Sequence, residues 1–169
     1  MTAPSPTPDG AAWLTLLDDA CREIAASLKR LSREERTRSF GRGAGGDTTV
    51  GVDRVAEDIL IEALRERHRR TGEPVSLVSE EAGLLHVGGP GGPVVIADPV
   101  DGSRNAARAA PLFATSVAVA DSRTMGGVRI AMVYGHGADE VFTAERGVGA
   151  WLDGQHLPMP TPPERLRML

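Results

Sequence analysis

Two short acidic segments are the parts of this sequence best suited to chemistry. They are residues 79–81 (SEE) and residues 98–103 (DPVDGS), and each follows an apolar run that predicts a buried strand. Carboxylates that gather beside an apolar core raise one another's pKa values unless a positive charge lies between them. Oxygen ligands without nearby His or Cys favour Mg²⁺ over zinc. The two segments therefore predict a magnesium site where the strands end.

The Asp-Pro turn in the second segment is expected to shape that site. Pro99 restricts the backbone so that the carboxylates of Asp98 and Asp101 can converge. The carbonyl of Val100 between them then becomes available as a further oxygen ligand.

The residues that follow predict an anion site beside the metal. Gly102 permits close backbone approach, and Ser103 is a candidate N-cap for a short helix over residues 104–108. Free N–H groups at a helix start favour a phosphate group. Metal and phosphate are therefore expected to share one pocket.

Each segment also has an ordinary structural interpretation. Asp-Pro and Asp-Gly pairs are common in turns, and residues 79–81 could form a solvated loop. An EF-hand is excluded, because Pro99 breaks its pattern and no Glu stands at the twelfth position. The combination of both segments with an acidic residue at the start of an upstream helix favours a functional site.

The elements that position these residues follow from hydrophobic periodicity. Apolar residues recur every three or four positions over 13–31 and 52–64, which predicts two amphipathic helices, the second continuing to Arg70 and ending at Gly72. Short apolar runs predict strands at residues 75–78, 94–96, 115–120, 128–134, 141–144 and 150–152. The expected fold is an α+β domain with two helices packed on a largely antiparallel sheet.

A glycine-rich stretch at residues 41–47 (GRGAGGD) offers a different function, phosphate binding by a nucleotide loop. It lacks the Gly-Lys-Ser/Thr ending of such a loop and follows a helix rather than a strand. We interpret it as a flexible connection.

Length and composition indicate a folded globular protein of one domain. The 169 residues suit one domain, and 41% hydrophobic with 25% charged residues is typical of a folded globular protein. A net charge of −4 without a basic stripe argues against a nucleic-acid polymer as partner. The single cysteine, Cys21, cannot form an internal disulfide, and neither a membrane-spanning stretch nor a signal peptide is recognisable. These features predict a cytoplasmic protein without a membrane partner.

The succession GGDTTVGVD at 45–53, SEE at 79–81 and DPVDGSRN at 98–105 resembles the inositol monophosphatase superfamily of Mg²⁺-dependent, lithium-sensitive phosphatases. The resemblance extends through residues 111–120 to residue 158 and implies the N-terminal part of the inositol monophosphatase / fructose-1,6-bisphosphatase-like fold. It implies hydrolysis of a small phosphate monoester by metal-activated water. The substrate would be a small phosphorylated sugar, polyol or nucleotide, with inositol phosphate and fructose 1,6-bisphosphate both open.

The resemblance assigns metal ligands within a site of two or three Mg²⁺ ions. Glu80, Asp98 and the carbonyl of Val100 match the ligands of one ion. Asp98, as a bridging residue, and Asp101 match those of a second ion.

The resemblance also assigns catalytic and phosphate-binding roles. Asp53 and Ser103 match the acid and the hydroxyl that orient and deprotonate the attacking water. The amides of Gly102 and Ser103 match the phosphate cradle.

Some residues depart from the family pattern. Ser103 stands where Thr is commoner, and Arg104 with Arg108 adds positive charge, which is nearer the archaeal and bacterial members. The histidines match no family ligand, and we interpret all of them as surface or loop residues: His68, His86, His136 and His156.

The resemblance covers only the first part of the family fold. Members carry a second αβα layer with a Trp-Asp-x-Ala-Ala-Gly motif whose Asp completes the second metal site, and this sequence has no such motif. Residues 151–154 (WLDG) are interpreted as a hairpin turn and not as a replacement. We therefore expect a disordered tail over residues 1–10, a metal- and phosphate-binding α+β domain over 11–158, and the start of a truncated second half over 159–169.

A truncated chain leaves alternatives to an active enzyme open. It could be a noncatalytic metal- or phosphate-binding remnant, or a half-enzyme that requires a separate C-terminal half. The missing layer is expected to expose an apolar edge or face of the sheet. That exposure favours a homo-oligomer or dependence on a partner.

Overall fold

The structure is a computed structural model that describes residues 4–46 and 48–158, with an α+β architecture. The helices of this part of the chain are α1 (Pro8–Arg30), α2 (Arg33–Thr37), α3 (Gly51–Thr71) and α4 (Ser103–Ala107), with a 3₁₀ turn at Met125–Gly127. The strands are β1 (Ser39–Arg42), β2 (Thr48–Val50), β3 (Val75–Ser79), β4 (Gly83–Val87), β5 (Val94–Asp101), β6 (Ala114–Ala120), β7 (Val128–Gly135), β8 (Glu140–Glu145), β9 (Gly149–Leu152) and β10 (Gln155–His156). Within the described residues, no helix is both long and apolar enough to cross a bilayer.

Helix α1 begins at Pro8, earlier than the sequence suggested. Thr7 caps it by accepting a hydrogen bond from the N–H of Gly10 (3.0 Å), and a proline at the first position suits the helix start. The backbone N–H of Thr7 donates to the buried carboxylate of Glu145 in β8 (2.8 Å). Residues 8–10, which the sequence placed in the N-terminal tail, therefore form the first turn of α1.

Helices α1 and α3 pack side by side on one face of the main sheet. Their apolar stripes meet the inward side chains of the strands in a core that contains Leu17, Leu60 and Leu64, each at most 1% exposed. The guanidinium of Arg67 lies 4.2 Å from the centre of the Trp13 ring, which joins the two helices by a cation–π contact. The segment predicted as the C-terminal tail, 159–169, lies outside the described residues.

The main sheet has eight strands in the order β10-β9-β8-β7-β6-β5-β3-β4. All neighbouring pairs are antiparallel except β3 and β5, which are parallel. The six predicted strands correspond to β3, β5, β6, β7, β8 and β9. The turn at residues 151–154 is confirmed as a hairpin turn: Asp153 and Gly154 have φ values of 50° and 76°, and Leu152 pairs with Gln155.

The parallel pair requires the chain to return to the beginning of β3 before β5 starts. Strand β4 runs back along the outer edge of β3, and the glycine-rich loop over residues 88–93 crosses to the other side. Gly92 has a φ of 69°, and a Cβ atom there would lie 1.9 Å from the carbonyl oxygen of Pro74. Only glycine fits this close crossing.

The stretch interpreted as a flexible connection is instead a docked hairpin. Strands β1 and β2 pair antiparallel, and the turn between them donates from the N–H of Ala44 to the carbonyl of Glu81 (3.0 Å) and from the N–H of Gly45 to that of Glu80 (2.7 Å). These hydrogen bonds hold the hairpin against the first acidic segment. No local sequence pattern predicts this docking, because the contact joins residues that are 35 or more positions apart.

The face of the sheet opposite α1 and α3 is apolar and exposed, and we call it the open face. Its large side chains are 40 to 51% exposed, and they are Leu84, Ile96, Val133 and Phe142. They alternate with inward-facing core residues along their strands, as the pleat requires. Large exposed apolar side chains on one face of a sheet favour an interaction site there.

We predict that this chain self-associates through the open face. Phe142→Lys places a charge on that face and should lower the mass measured by light scattering at concentrations where the wild type associates. Met125→Lys is the matched control, because Met125 is 89% exposed and lies in the 3₁₀ turn outside the sheet. A wild-type chain that stays monomeric at about 100 μM, far above an ordinary micromolar dissociation constant, would contradict this prediction.

Candidate active site

The parallel pairing of β3 with β5 brings the two acidic segments together. In the register of these strands Ser79 lies opposite Ala97, so the next residues along the two chains, Glu80 and Asp98, are neighbours. Both strands run in the same direction, and their carboxyl ends therefore meet at one edge of the sheet. This confirms the expectation that the acidic residues gather where the strands end.

The second acidic segment continues β5 as a bulge, although the sequence placed it in a loop after the strand. Asp98 pairs with Ser116 and Asp101 with Ala114, so β5 has one residue more than β6 between these positions. Such a bulge re-aims side chains and is frequent next to active sites. One carboxylate oxygen of Asp98 accepts a hydrogen bond from the N–H of Val100 (3.1 Å), which closes the turn.

Helix α4 begins directly after the bulge, and its N-cap is Gly102 rather than Ser103. Gly102 has a φ of 89°, and its carbonyl accepts from the N–H groups of Asn105 and Ala106 (2.8 and 3.1 Å). A left-handed conformation at this position favours glycine. Ser103 is therefore the first helical residue, and its hydroxyl is free to interact with Asp53.

Asp53 lies in the first turn of α3 and faces the bulge. Its carboxylate accepts a hydrogen bond from the N–H of Val50 (2.9 Å), and the residue is 5% exposed. Burial raises the pKa of Asp53 to about 6, and the negative charges of Glu81 and Asp98 add to that rise. The hydrogen bonds from Val50 and Ser103 act in the opposite direction. Asp53 therefore titrates close to neutral pH.

These elements enclose a cavity of about 220 Å³. Its walls contain five of the predicted site residues and five others, and they are Thr48, Val50, Asp53, Glu80, Glu81, Asp98, Pro99, Val100, Ser103 and Arg104. The predicted residues Asp101 and Gly102 adjoin the cavity in sequence but do not line it. Sequence reasoning named Glu81 and Arg104 without giving them a role. It missed Thr48 and Val50, which reach the cavity from β2.

The buried carboxylate of Glu57 holds the first acidic segment, residues 79–81, in place. Glu57 in α3 is 3% exposed, and it accepts hydrogen bonds from the hydroxyl of Ser79 and from the N–H of Ala82 (2.9 Å). The hydroxyl of Thr49 donates to the carboxylate of Glu81 on the opposite side. A buried carboxylate is costly without such partners, so these contacts fix the segment.

Two residues outside the cavity walls, Thr115 and His136, pack against the second acidic segment. Thr115 donates to the carbonyl of Pro99 (2.7 Å), and its hydroxyl oxygen lies 2.9 Å from Nε2 of His136. The His136 ring stacks on Phe113 with 4.7 Å between ring centres. His136 lies in the turn after β7, which agrees with its interpretation as a loop residue, and the fold packs it against the second acidic segment.

The donor set suits a hard divalent cation. Burial raises the pKa of Asp98, and the negative charges of Glu80 and Asp101 raise it further, so a positive charge here would relieve repulsion. All these donors are oxygens, which Mg²⁺ prefers. Within residues 4–46 and 48–158, no three acidic, His or Cys side chains stand close enough to form a closed ligand group. The residues fit the ion by chemistry, and their side chains must turn toward one another to ligate it.

Comparison with known proteins identifies the family of this chain. The sequence profile of the inositol monophosphatase family matches residues 12–168. The chain belongs to the inositol monophosphatase family. The fructose-1,6-bisphosphatase/inositol-1-monophosphatase of Methanothermobacter thermautotrophicus is 36% identical over 120 residues, which are 66% of this chain and 41% of the relative. The Nus factor SuhB of Salmonella typhimurium is 36% identical over 111 residues, 66% of this chain and 39% of the relative.

Solved structures of the inositol monophosphatase family share this fold. The crystal structure of an inositol monophosphatase-fructose 1,6 bisphosphatase superposes with a TM-score of 0.73 at 25% identity, and the match covers 89% of this chain and 56% of that one. The chain thus spans about half the length of the relatives it matches.

We predict a pH dependence of stability that comes from Asp53. Its pKa is about 6 in the folded protein and lies near the ordinary value of 3.8 in the unfolded chain, so the folded state binds the proton more tightly. This contribution to stability is present below pH 4 and is lost as the pH rises through 6. In EDTA, the wild type should lose free energy of unfolding relative to Asp53→Asn between pH 4 and 7. Urea denaturation at each pH measures the difference, and a difference that does not change with pH contradicts the assignment.

Proposed function

We propose that the site hydrolyses a small phosphate monoester with the help of Mg²⁺. The observation that carries this proposal is the parallel pairing that places Glu80 beside Asp98, in one cavity with Asp53 and Ser103. Membership of the inositol monophosphatase family supports it. Inositol phosphate and fructose 1,6-bisphosphate are the candidate substrates, since a relative's name includes both activities.

The acidic residues at the strand ends would hold the metal. Glu80, Asp98 and the carbonyl of Val100 would bind one Mg²⁺, and Asp98 with Asp101 would bind a second. When bound, Mg²⁺ supplies positive charge that offsets the charge developing on the phosphoryl oxygens.

Asp53 and Ser103 would activate the attacking water. The water oxygen forms a bond to phosphorus while the bond from phosphorus to the alcohol oxygen breaks, which yields inorganic phosphate and the alcohol. The Ser103 hydroxyl would orient the water, Asp53 would accept its proton, and the leaving alcohol oxygen would take a proton from solvent. A carboxylate with a pKa of about 6 is ionised at neutral pH and can therefore accept a proton.

The backbone at the start of α4 would contact the phosphate. The amides of Gly102 and Ser103 follow the bulge, beside the wall that Ser103 contributes to the cavity. Arg104 is the basic residue among those that line the cavity. We further propose a cytoplasmic protein whose ligand is a small phosphorylated sugar, polyol or nucleotide, without a nucleic-acid polymer or membrane as partner.

The proposal predicts that Mg²⁺ stabilises the folded chain. A ligand that binds only the folded state raises the thermal midpoint by mass action, and millimolar Mg²⁺ should do so for the wild type. Asp98→Asn should abolish the shift. Asp58→Asn is the matched control, because Asp58 pairs with Arg54 on the exposed side of α3 (3.0 Å) and should keep the shift. Identical responses of wild type and Asp98→Asn in differential scanning fluorimetry contradict the ligand assignment.

The proposal also predicts a split between kcat and KM for Ser103. Its hydroxyl acts on the nucleophile and not on substrate binding, so Ser103→Ala should lower kcat with little change in KM. In an enzyme reconstituted with a separate C-terminal half, hydrolysis of p-nitrophenyl phosphate with Mg²⁺ measures both constants, and Ser116→Ala on β6 is a control outside the cavity walls. An increase in KM at constant kcat is incompatible with the assigned role.

A second candidate function is a half-enzyme that requires a separate C-terminal half, or a noncatalytic remnant. It is favoured by the apolar open face, which the described residues leave exposed. This chain supplies two protein ligands for the second Mg²⁺, Asp98 and Asp101. Mg²⁺ binds weakly when so few of its ligands come from the protein.

We therefore predict that the chain alone is a poor phosphatase. Turnover of inositol 1-phosphate and p-nitrophenyl phosphate should fall orders of magnitude below the usual enzyme range of about 1 to 10³ s⁻¹, because charge stabilisation by a weakly held ion is lost. Turnover within tenfold of that range from a monomer, with mass checked by light scattering, would exclude the half-enzyme.

A further inference from the structure

At the bulge in β5, the carbonyl of Pro99 accepts a hydrogen bond from a side chain instead of from a backbone N–H of the neighbouring strand. Thr115 on β6 lies between Ala114 and Ser116, which pair with Asp101 and Asp98, so it faces the extra residue of the bulge. The carbonyl of Pro99 accepts from the hydroxyl of Thr115 (2.7 Å), which takes the place of a ladder hydrogen bond. Thr115 is completely buried, so water cannot replace it.

The hydrogen bonds around Thr115 fix the direction of each donor. A threonine hydroxyl carries one hydrogen, and Thr115 uses it for Pro99, so the contact with His136 at 2.9 Å requires Nε2 of His136 to be the donor. His136 is then the neutral Nε2–H tautomer. Burial lowers its pKa to about 4, with the positive charge of Lys29 as a smaller cause, which agrees with a neutral ring.

The rest of the surroundings hold the His136 ring in place. The ring stacks on Phe113, and the backbone N–H of His136 donates to the carbonyl of Phe113 (3.2 Å). Within the described residues, Nδ1 of His136 is buried and has no hydrogen-bond partner. The stacking, the backbone hydrogen bond and the Nε2 contact with Thr115 therefore fix the ring together, although Nδ1 is left unsatisfied.

We propose that Thr115 and His136 are positioning residues that fix the carbonyl of Pro99 and, through it, the orientation of Asp98 and Val100. Pro99 has no N–H and a restricted φ, so its carbonyl is the one backbone group through which neighbours can fix this residue. With its carbonyl held by Thr115 and its N–H held by Asp98 (3.1 Å), the Pro99–Val100 peptide group is fixed on both sides. The expected effect on metal binding rests on the proposed function, because Asp98 and Val100 are proposed ligands. The effect of Thr115 on the conformation of the turn does not depend on the proposed function.

The first test measures the turn without metal. In EDTA, the exchange rate of the Val100 amide is measured by NMR relative to that of Val119, a fully buried residue of β6 that reports global unfolding. Thr115→Val should raise the relative exchange rate at least tenfold, and Thr115→Ser should restore it to within about threefold of the wild type. His136→Phe keeps the ring stacking but removes the Nε2 donor, so it should give an intermediate rate.

The chain offers a matched control in the same sheet. Ser76 on β3 is a buried hydroxyl that lies 2.8 Å from Nδ1 of His86, and it faces no bulge. Ser76→Ala removes a comparable hydroxyl–histidine contact and should leave the relative exchange rate of Val100 unchanged. An unchanged rate in Thr115→Val, or an equal increase in Ser76→Ala, overturns the proposal.

The second test measures the affinity for Mn²⁺, used as a paramagnetic probe of the Mg²⁺ site, by electron paramagnetic resonance. Removing a partner that orients metal ligands typically weakens metal binding about 10- to 100-fold, so Thr115→Val should raise the Mn²⁺ dissociation constant by that factor. Thr115→Ser and Ser76→Ala should remain within about threefold of the wild type. A lower thermal midpoint of Thr115→Val with an unchanged dissociation constant would make Thr115 a structural residue only. A wild type that binds no Mn²⁺ contradicts the proposed function, whereas the exchange test still decides the positioning of the turn.

Discussion

The parallel pairing of β3 with β5 is the constraint on which the candidate site depends. Every other neighbouring pair in the main sheet is antiparallel, and antiparallel neighbours end at opposite edges. If β5 ran against β3, Glu80 and Asp98 would be separated by the length of a strand. Strand β4 and the glycine-rich crossing at residues 88–93 make the parallel arrangement possible. The glycines of that loop therefore serve the site although they are distant from it.

Carboxylates that gather at one edge of the sheet repel one another, and hydrogen bonds from neighbouring groups offset part of this repulsion. Glu57 accepts from Ser79 and Ala82, Glu81 accepts from the hydroxyl of Thr49, and Asp98 accepts from the N–H of Val100. Asp53 and Asp98 still have raised pKa values, since burial and neighbouring charge outweigh these hydrogen bonds. The fold thus holds an acidic cluster that a divalent cation would stabilise, which is the property that the proposed chemistry needs.

The two faces of the main sheet differ in how well they are covered. Helices α1 and α3 bury one face, whereas the open face carries large apolar side chains that are near half exposed. The chain matches about half the length of its relatives in the inositol monophosphatase family. The site lies at an edge of the sheet and is built from the covered side, so the described residues assemble it without using the open face.

The sequence by itself determined the parts of this protein that depend on local pattern. Periodicity predicted α1, α3 and six strands, and the segments at residues 79–81 and 98–105 predicted an acidic site and the family. Only the tertiary structure decided the parallel pair, the docking of the β1–β2 hairpin on Glu80 and Glu81, and Gly102 as the cap of α4. It also decided that His136, interpreted from the sequence as a surface or loop residue, contacts Thr115, 21 positions away. Periodicity reports which face of an element is buried, but strand direction and hydrogen-bond partners depend on contacts between distant residues that no local pattern encodes.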